Sequence, residues 1–375
     1  MSNSNQRSSN FELMRIFAIF LIIIFHTLDQ YVINQPPKLM APIAHNVELY
    51  GSILALRSVL GNTGNILFAM ISGYFLIKSS NITFFSRAGK TLNKFIPILF
   101  FNGVVVINGL AILVSLLHEK VPLLQHMNIT WNFFTINLLF GYSNFWYLGS
   151  YIFLLLFIKP LNHFLQSKSA VQFLQILTLT WLIFSILKIP NNFLLPDERI
   201  LQILFGYIAG AAMRLHNPFK KVSVPTLLLI VVSYFIVFML LFEINARVFH
   251  TSYLKVFPEM GIFIYFVPIL VFEMFSRLSV KSKFINLIAP TTLYIYVFHL
   301  SLPFNLFQKT INHVRGPIFS SLEIHNKYLA DLFFWGTTFV YAFIIVLTGA
   351  VLGLFLTLLI SKAKKHLSLF DWNNI

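Results

Sequence analysis

Arg15 and His26 both sit inside an apolar stretch, FELMRIFAIFLIIIFHTLDQY, that covers residues 11–31. A guanidinium grips phosphates and carboxylates through a planar fork of donors. A neutral imidazole takes a proton at physiological pH, which suits it to general-base chemistry. The two positions are eleven residues apart. At about 100° per residue a helix brings both side chains within about 20° of one face, about 16 Å apart along its axis. A charged group at the centre of a bilayer costs at least about 2.5 kcal/mol, so such residues face protein or water and mark function. Each residue taken singly has a plainer account. Arg15 could snorkel to lipid headgroups, and His26 could hydrogen-bond a neighbouring helix. Sharing one face, the pair points to a lined pathway. Asp29, less than a turn beyond His26, reads as an interfacial carboxylate.

The element that positions this pair has to be a membrane helix. The chain has 375 residues, of which 57% are hydrophobic and only 10% charged, and Phe alone supplies 43. A soluble domain of that composition would expose far too much apolar surface. With no cysteine, disulfides, thiolate metal sites and a cysteine nucleophile are excluded. The opening MSNSNQRSSN is polar and lacks a cleavable-signal pattern, so the first apolar span is expected to be kept as a helix.

A ruler of about 20 apolar residues per crossing gives ten candidate spans: 12–33, 60–78, 95–117, 146–166, 170–188, 200–215, 223–244, 257–276, 285–307 and 331–361. Lys78, Arg87, Lys90, Lys94, Lys159, Arg214, Lys220, Lys221, Arg277, Lys281 and Lys283 fall on one set of connecting loops. The other set has fewer basic residues, interspersed with acids. Basic residues concentrate on the cytoplasmic side, which predicts both termini inside and an even number of crossings. The net charge of +15 is then a topology and lipid-headgroup signal, with no nucleic-acid partner implied. The predicted fold class is all-α: a polytopic integral membrane helical bundle of about ten transmembrane helices in the cell (plasma) membrane. Residues 1–375 read as a single membrane domain, with a polar tail at 1–10 and a basic tail at 362–375, both cytoplasmic. The longest outer loops are 34–59, 118–145 and 308–330, within which 46–60 and 126–140 are predicted interfacial or re-entrant helices.

Several stretches fall in an order that resembles the acyltransferase-3 family of integral membrane acyltransferases. Arg15, ten residues and His26 resemble its first-span signature; GNILFAMISGYFL at 64–76 is similar to its second span. KTLNKFIPILF at 90–100 resembles its basic loop entering a Pro-containing third span, and NFWYLGSYIFLLLFIKPL at 144–161 its Trp-led fourth. TTLYIYVFHLSLP at 291–303 is similar to its late Tyr-rich span ending in His. One position departs. An acidic residue often stands two places after the second-span Gly, and here that place is Ile66.

The resemblance implies transfer of an acyl group, commonly acetyl, from cytoplasmic acetyl-CoA or another acyl-CoA to a hydroxyl of a cell-surface or lipid-linked glycan. On that reading His26 is the catalytic base or a transient acyl carrier. Arg15 meets the CoA phosphates or the pantetheine entrance, and Arg87, Lys90 and Lys94 form a basic cluster beside the same mouth. Taken singly, each of those three is better accounted for by positive-inside charge. Trp146 and Tyr147 would stack on sugar rings, or else belong to an interfacial aromatic belt. Tyr294 and His299 would line the acceptor side. CoA is a substrate here, and no tightly bound cofactor is expected. The last candidate span ends near residue 361 without an esterase-like domain after it. Transfer is therefore expected to finish in the membrane domain or to use a separate extracytoplasmic acyl-relay protein.

No metal site is expected. His118 and His126 lie eight apart near Glu119 without metal-ligand spacing. The run 89-GKT-91 lacks the upstream glycine of a phosphate loop. Glu243, Glu259 and Glu273 lie at or inside span ends, and Glu273 is placed to pair with Arg277 one turn on. The alternative from another class is a transporter or flippase for a lipid-linked glycan. Paired halves with matching broken helices would mark it, and the sequence shows no such symmetry.

Overall fold

A computed structural model of the chain describes residues 8–33, 47–79, 84–107, 109, 112–113, 116, 146–187, 198–249, 265–300 and 302–367. The expected segment 126–140, the histidines at 118 and 126, Glu259 and the outermost parts of both tails lie outside the described residues, as do the side chains of Asp29 and Glu243.

The described elements are all helical. In chain order they are α1 (Ser9–Ile33), α2 (Val47–Leu76), α3 (Phe84–Phe100) with a π-helical continuation (Phe101–Ile107), α4 (Trp146–Leu156), α5 (Ile158–Gln166), α6 (Ala170–Leu187), α7 (Glu198–Leu215), α8 (Val224–Phe249), α9 (Phe266–Ser276), α10 (Lys283–Ile288), a 3-10 turn (Ala289–Thr291), α11 (Thr292–His299), α12 (Leu302–His325) and α13 (Lys327–Leu367). Each of the ten candidate spans carries a helix. By length and composition four stretches can cross a membrane: Ser9–Leu28, Val59–Leu76, Arg87–Ile107 and Lys327–Lys362. A fifth is the pair α4 and α5, bent by 65° at Phe157. Whole faces of α8 and α13 present aliphatic and aromatic side chains outward, among them Leu229, Ile236, Val340, Phe343, Val351 and Leu358. Such faces suit hydrocarbon and would be costly in water.

Three local expectations are corrected. Residues 46–60 do not form a separate interfacial helix; α2 runs unbroken for 30 residues, about 45 Å, so the ruler had cut one long helix at its apolar end. Residues 308–330 are not a loop, because α12 continues to His325 and α13 begins two residues later. Finally, 285–307 is not one helix. The 3-10 turn carrying Pro290 and the start of α12 at Leu302–Pro303 divide it into three.

α1 and α2 form the centre. Their backbones come close because Gly64 stands where a Cβ would lie 2.5 Å from the Ala18 carbonyl oxygen. The α2–α7 seam is tighter still. A Cβ on Gly73 would fall 2.0 Å from the Tyr207 oxygen, and one on Gly210 the same distance from the Met70 oxygen. Small residues four apart on both partners (Ala69 and Gly73, Gly206 and Gly210) let the backbones touch, the usual way membrane helices gain packing without a hydrophobic driving force.

α5 then crosses the end of α2. Asn162 donates to the Leu76 carbonyl at 2.9 Å and Gln166 to that of Ile77, while the Tyr207 hydroxyl donates to Asn162 Oδ1 at 2.7 Å. Orphan carbonyls at a helix end are thereby satisfied inside the bundle. On the remaining side of α1 and α2 stand α3, α4 and α11, and the space between these five helices is not filled.

Candidate active site

That space is a cavity of about 210 Å³. Its walls are helical stripes: Ile22 from α1; Asn65, Phe68 and Ser72 from α2; Thr91 from α3; Tyr147, Leu148 and Tyr151 from α4; Thr292, Leu293 and Tyr296 from α11. Residues at i, i+3, i+4 and i+7 share a face, so each stripe follows from an unbroken helix at that level. On α1 the same rule joins Arg15, Ile22 and His26. Ile22 is in the wall, and the two chemically able residues flank it on the same face, one toward each end.

At one end lies the cationic group. Arg15 Nη1 donates to both carboxylate oxygens of Glu12 at 2.9 Å; the arginine side chain is 36% exposed and the glutamate 7%. Glu12 thus holds the guanidinium from its own helix while leaving part of it accessible. Tyr151, in the cavity wall, hydrogen-bonds with Ser72 and lies within electrostatic reach of Arg87 and Arg15. Arg87 is half-buried, whereas Lys90 and Lys94 are exposed. The helical phase explains the difference: Thr91, one turn from Arg87, looks into the cavity, and Lys90 and Lys94 look out. Arg214 from α7 stands over Tyr74 of α2, 4.8 Å from the ring centroid, and donates to its hydroxyl at 3.0 Å.

At the other end are two imidazoles. The half-buried His26 ring lies 5.2 Å from that of His299, centroid to centroid. His299 is fully buried, and its Nδ1 is 3.1 Å from the Ile295 carbonyl oxygen. Its ring also meets Tyr296 at 5.7 Å, Tyr296 meets Tyr147 at 6.4 Å, and Tyr147 meets Phe68 at 6.2 Å. The histidine pair therefore joins the cavity through a wall of phenols. A slot with a phosphate-competent guanidinium at one end and proton-competent imidazoles at the other can hold an elongated, anionic-headed molecule and act on its far tip.

Of the expected site residues Tyr147 lines the cavity itself; Arg15 and Arg87 lie within electrostatic reach of the wall residue Tyr151, and His26 and His299 adjoin the wall through Tyr296. Trp146 packs against Tyr147 with ring centroids 5.7 Å apart. Lys90 and Lys94 stay on the surface near the Arg15 end. Tyr294 is placed elsewhere: it is 1% exposed in the core, between Phe101 and Phe298, with its hydroxyl 3.4 Å from Asn102 Oδ1. Tyr296, two residues on, faces the cavity. Ile66, where the resemblance leads one to expect an acid, is buried in the apolar cluster of Met70, Phe205 and Phe272; its neighbour Asn65 is the cavity residue. Glu273 pairs with Arg277, whose Nε donates to Oε1 at 2.6 Å, and Asn217 donates to the same oxygen. Arg277 also grips the carbonyls of Phe219 and Val222, so this cluster ties down the α7–α8 turn away from the slot.

Sequence reasoning missed Asn65, Ser72, Thr91, Tyr151 and Thr292. Their signal was present as polar residues at helical spacing inside apolar runs, Asn65 with Ser72 and Tyr147 with Tyr151. Among the described residues no three His, Asp or Glu side chains gather to hold a metal.

Residues 8–361 match the family model Acyl_transf_3, described as an acyltransferase domain. No curated protein and no solved structure matches the chain.

Proposed function

Because the chain belongs to the acyltransferase-3 family, and is thereby a membrane acyltransferase, we propose that it moves an acetyl group from cytoplasmic acetyl-CoA to a hydroxyl of a cell-surface or lipid-linked glycan. The observation that carries this reading is the cavity beside α1, whose wall residue Ile22 lies between Arg15 and His26 along that helix. A CoA thioester has the matching shape: phosphates at one end, a narrow pantetheine arm, and the reacting carbonyl at the tip. Arg15 and Arg87 hold the phosphates at the mouth, and Lys90 and Lys94 raise the local concentration of the anionic donor. The protein sits in the plasma membrane with about ten crossings and both termini inside, which puts the Arg15 end in the cytoplasm and the His26 end toward the acceptor. Trp146 and Tyr147 offer aromatic faces to the sugar there.

In the transfer the acceptor hydroxyl oxygen attacks the thioester carbonyl carbon as His26 takes the hydroxyl proton. The carbon–sulfur bond breaks, and the departing thiolate takes that proton from the imidazolium. The products are an acetyl ester and free CoA. General-base assistance of this kind contributes roughly 100- to 10,000-fold.

The test is release of free CoA thiol by purified protein in lipid nanodiscs given acetyl-CoA, with slow hydrolysis expected even without acceptor. His26→Ala should lose at least about 100-fold. Movement of a lipid-linked glycan across liposomes with no CoA-dependent chemistry would replace this reading with the transporter. In cells, mass spectrometry of surface glycans with and without the protein should show loss of an acetyl substituent.

A further inference from the structure

Among the described residues His299 is the one buried histidine that the proposed transfer leaves idle, and its geometry is informative. A backbone carbonyl only accepts hydrogen bonds, so the 3.1 Å contact with Ile295 places the His299 proton on Nδ1. In the neutral ring Nε2 is then an acceptor, on the edge of the ring away from that anchor. The ring is fully enclosed at 0% exposure, and His26 is the imidazole beside it, with centroids 5.2 Å apart. Two imidazoles joined edge to edge by an N–H···N bond of about 2.9 Å have centroids about 5 Å apart. At 5.2 Å, with the planes tilted by 44°, the two rings are close enough for such a bond to form by a small ring rotation.

We propose that His299 is a positioning residue: its Nε2 accepts a hydrogen bond from one ring nitrogen of His26, fixes the His26 tautomer, and so directs the other His26 nitrogen as the base toward the acceptor hydroxyl. The chain Ile295 carbonyl, His299, His26 has the logic by which a second group orients a working imidazole elsewhere. Helix α11 sets the anchor, since Ile295 and His299 are one turn apart. The inference rests on His26 being the base.

Three substitutions at position 299 separate positioning from packing. His299→Gln extends an amide oxygen to the Nε2 position and keeps an acceptor for His26. His299→Asn reproduces the Nδ1 donor toward Ile295 but does not reach His26, and His299→Leu fills the space with neither. Acetyl-CoA hydrolysis should stay within about tenfold of wild type for Gln and fall roughly 100-fold for Asn and Leu, with acetyl-CoA affinity unchanged. Nitrogen-15 NMR of histidine-labelled protein in nanodiscs supplies the second readout. The His26 signals, identified by their loss in His26→Ala, should report one tautomer in wild type and in His299→Gln, and a mixture in Asn and Leu. Asn as active as Gln, or a His26 tautomer unchanged in His299→Leu, would overturn the positioning role. Wild-type turnover by His26→Ala would instead remove the base assignment, and the NMR comparison would still judge the histidine pair by itself.

Discussion

At Arg15 the charge is already engaged before any ligand arrives, because Glu12 meets it on the same helix. On the proposed reading, what a donor phosphate would gain there is the rest of the planar fork. Arg15→Ala should therefore weaken acetyl-CoA binding, and Arg15→Lys should restore it only partly, since an ammonium keeps the charge and loses the bidentate geometry. His26→Ala should do the reverse, leaving donor affinity nearly intact while removing turnover, because its contribution arises in the chemical step. Isothermal titration with a non-hydrolysable donor analogue, beside the thiol assay, separates the two. The exchange Phe25→His with His26→Phe sharpens the point. Phe25 packs on Gly61 and under Arg57, 5.5 Å from its ring centroid, so a histidine there faces α2 and cannot reach His299. The double variant should be as inactive as His26→Ala, and full activity in it would dismiss the shared-face argument. The Arg15–His26 face was legible because both residues stand out in an apolar run and the helix is unbroken between them. Tyr294 and Tyr296 were not separable in the same way. Two residues turn a helix by about 200°, so one goes to the core and the other to the cavity, and only the neighbours decide which.

Element by element, the cavity depends on the placement of α2, which two close seams hold against α1 and α7. The α2–α7 seam is the more demanding, with Gly73 and Gly210 each opposed by backbone at 2.0 Å from where a Cβ would stand. Backbone cannot yield as a flexible side chain can. Gly210→Val should push the helices apart and destabilise by at least about 2 kcal/mol, seen as a fall in thermal midpoint by fluorescence-detected size exclusion. Gly149 on α4 is the control, since nothing lies within 4 Å of a Cβ built there. Gly149→Ala should leave stability unchanged or raise it by up to about 1 kcal/mol, the helix-propensity gain. Equal destabilisation by both would mean that the seam is not close-packed. Long apolar helices such as α1 and the second half of α2 could be read from hydropathy. That the first half of α2 continues the same helix, and that α12 runs on past residue 307, could not, because hydropathy measures contact with lipid. A helix with Asn305, Gln308, Lys309 and Arg315 in its sequence scores as loop. In the folded chain Arg315 is 3% exposed, its guanidinium 4.6 Å from the centre of the Phe334 ring and 3.1 Å from the Thr338 hydroxyl. Polarity satisfied by the neighbouring helix is invisible to a scale that scores residues singly.

For the whole molecule the decisive quantity is orientation, since a donor from the cytoplasm and an acceptor outside require the Arg15 end to face inward. The helical order ties several surface points to that one choice. α1 and α2 run antiparallel, as the contacts of Gly64 with Ala18 and of Phe11 with Tyr74 require, so Lys78 lies at the Arg15 end. Ser167 lies there too, one residue beyond Gln166, which donates to the Ile77 carbonyl. The α12–α13 turn belongs to the opposite end. α13 runs from it past Ile295, which Gly349 approaches, to Thr291, which Gly353 approaches, and the Arg15 end lies in that direction along α11. Ile324 in this turn is 82% exposed, and the chain has no cysteine of its own. A single cysteine in place of Ile324 should react with an impermeant maleimide in intact cells. One in place of Lys78 or Ser167 should react only after permeabilisation. The positive-inside bias predicts this polarity without any structural input, and the slot independently needs it, because Arg15 can meet cytoplasmic CoA in no other orientation. Labelling of Lys78→Cys and Ser167→Cys from outside, with Ile324→Cys silent, would invert the bundle. It would put the cationic mouth away from the CoA pool, and the donor assignment would fall even though the family and the cavity stood.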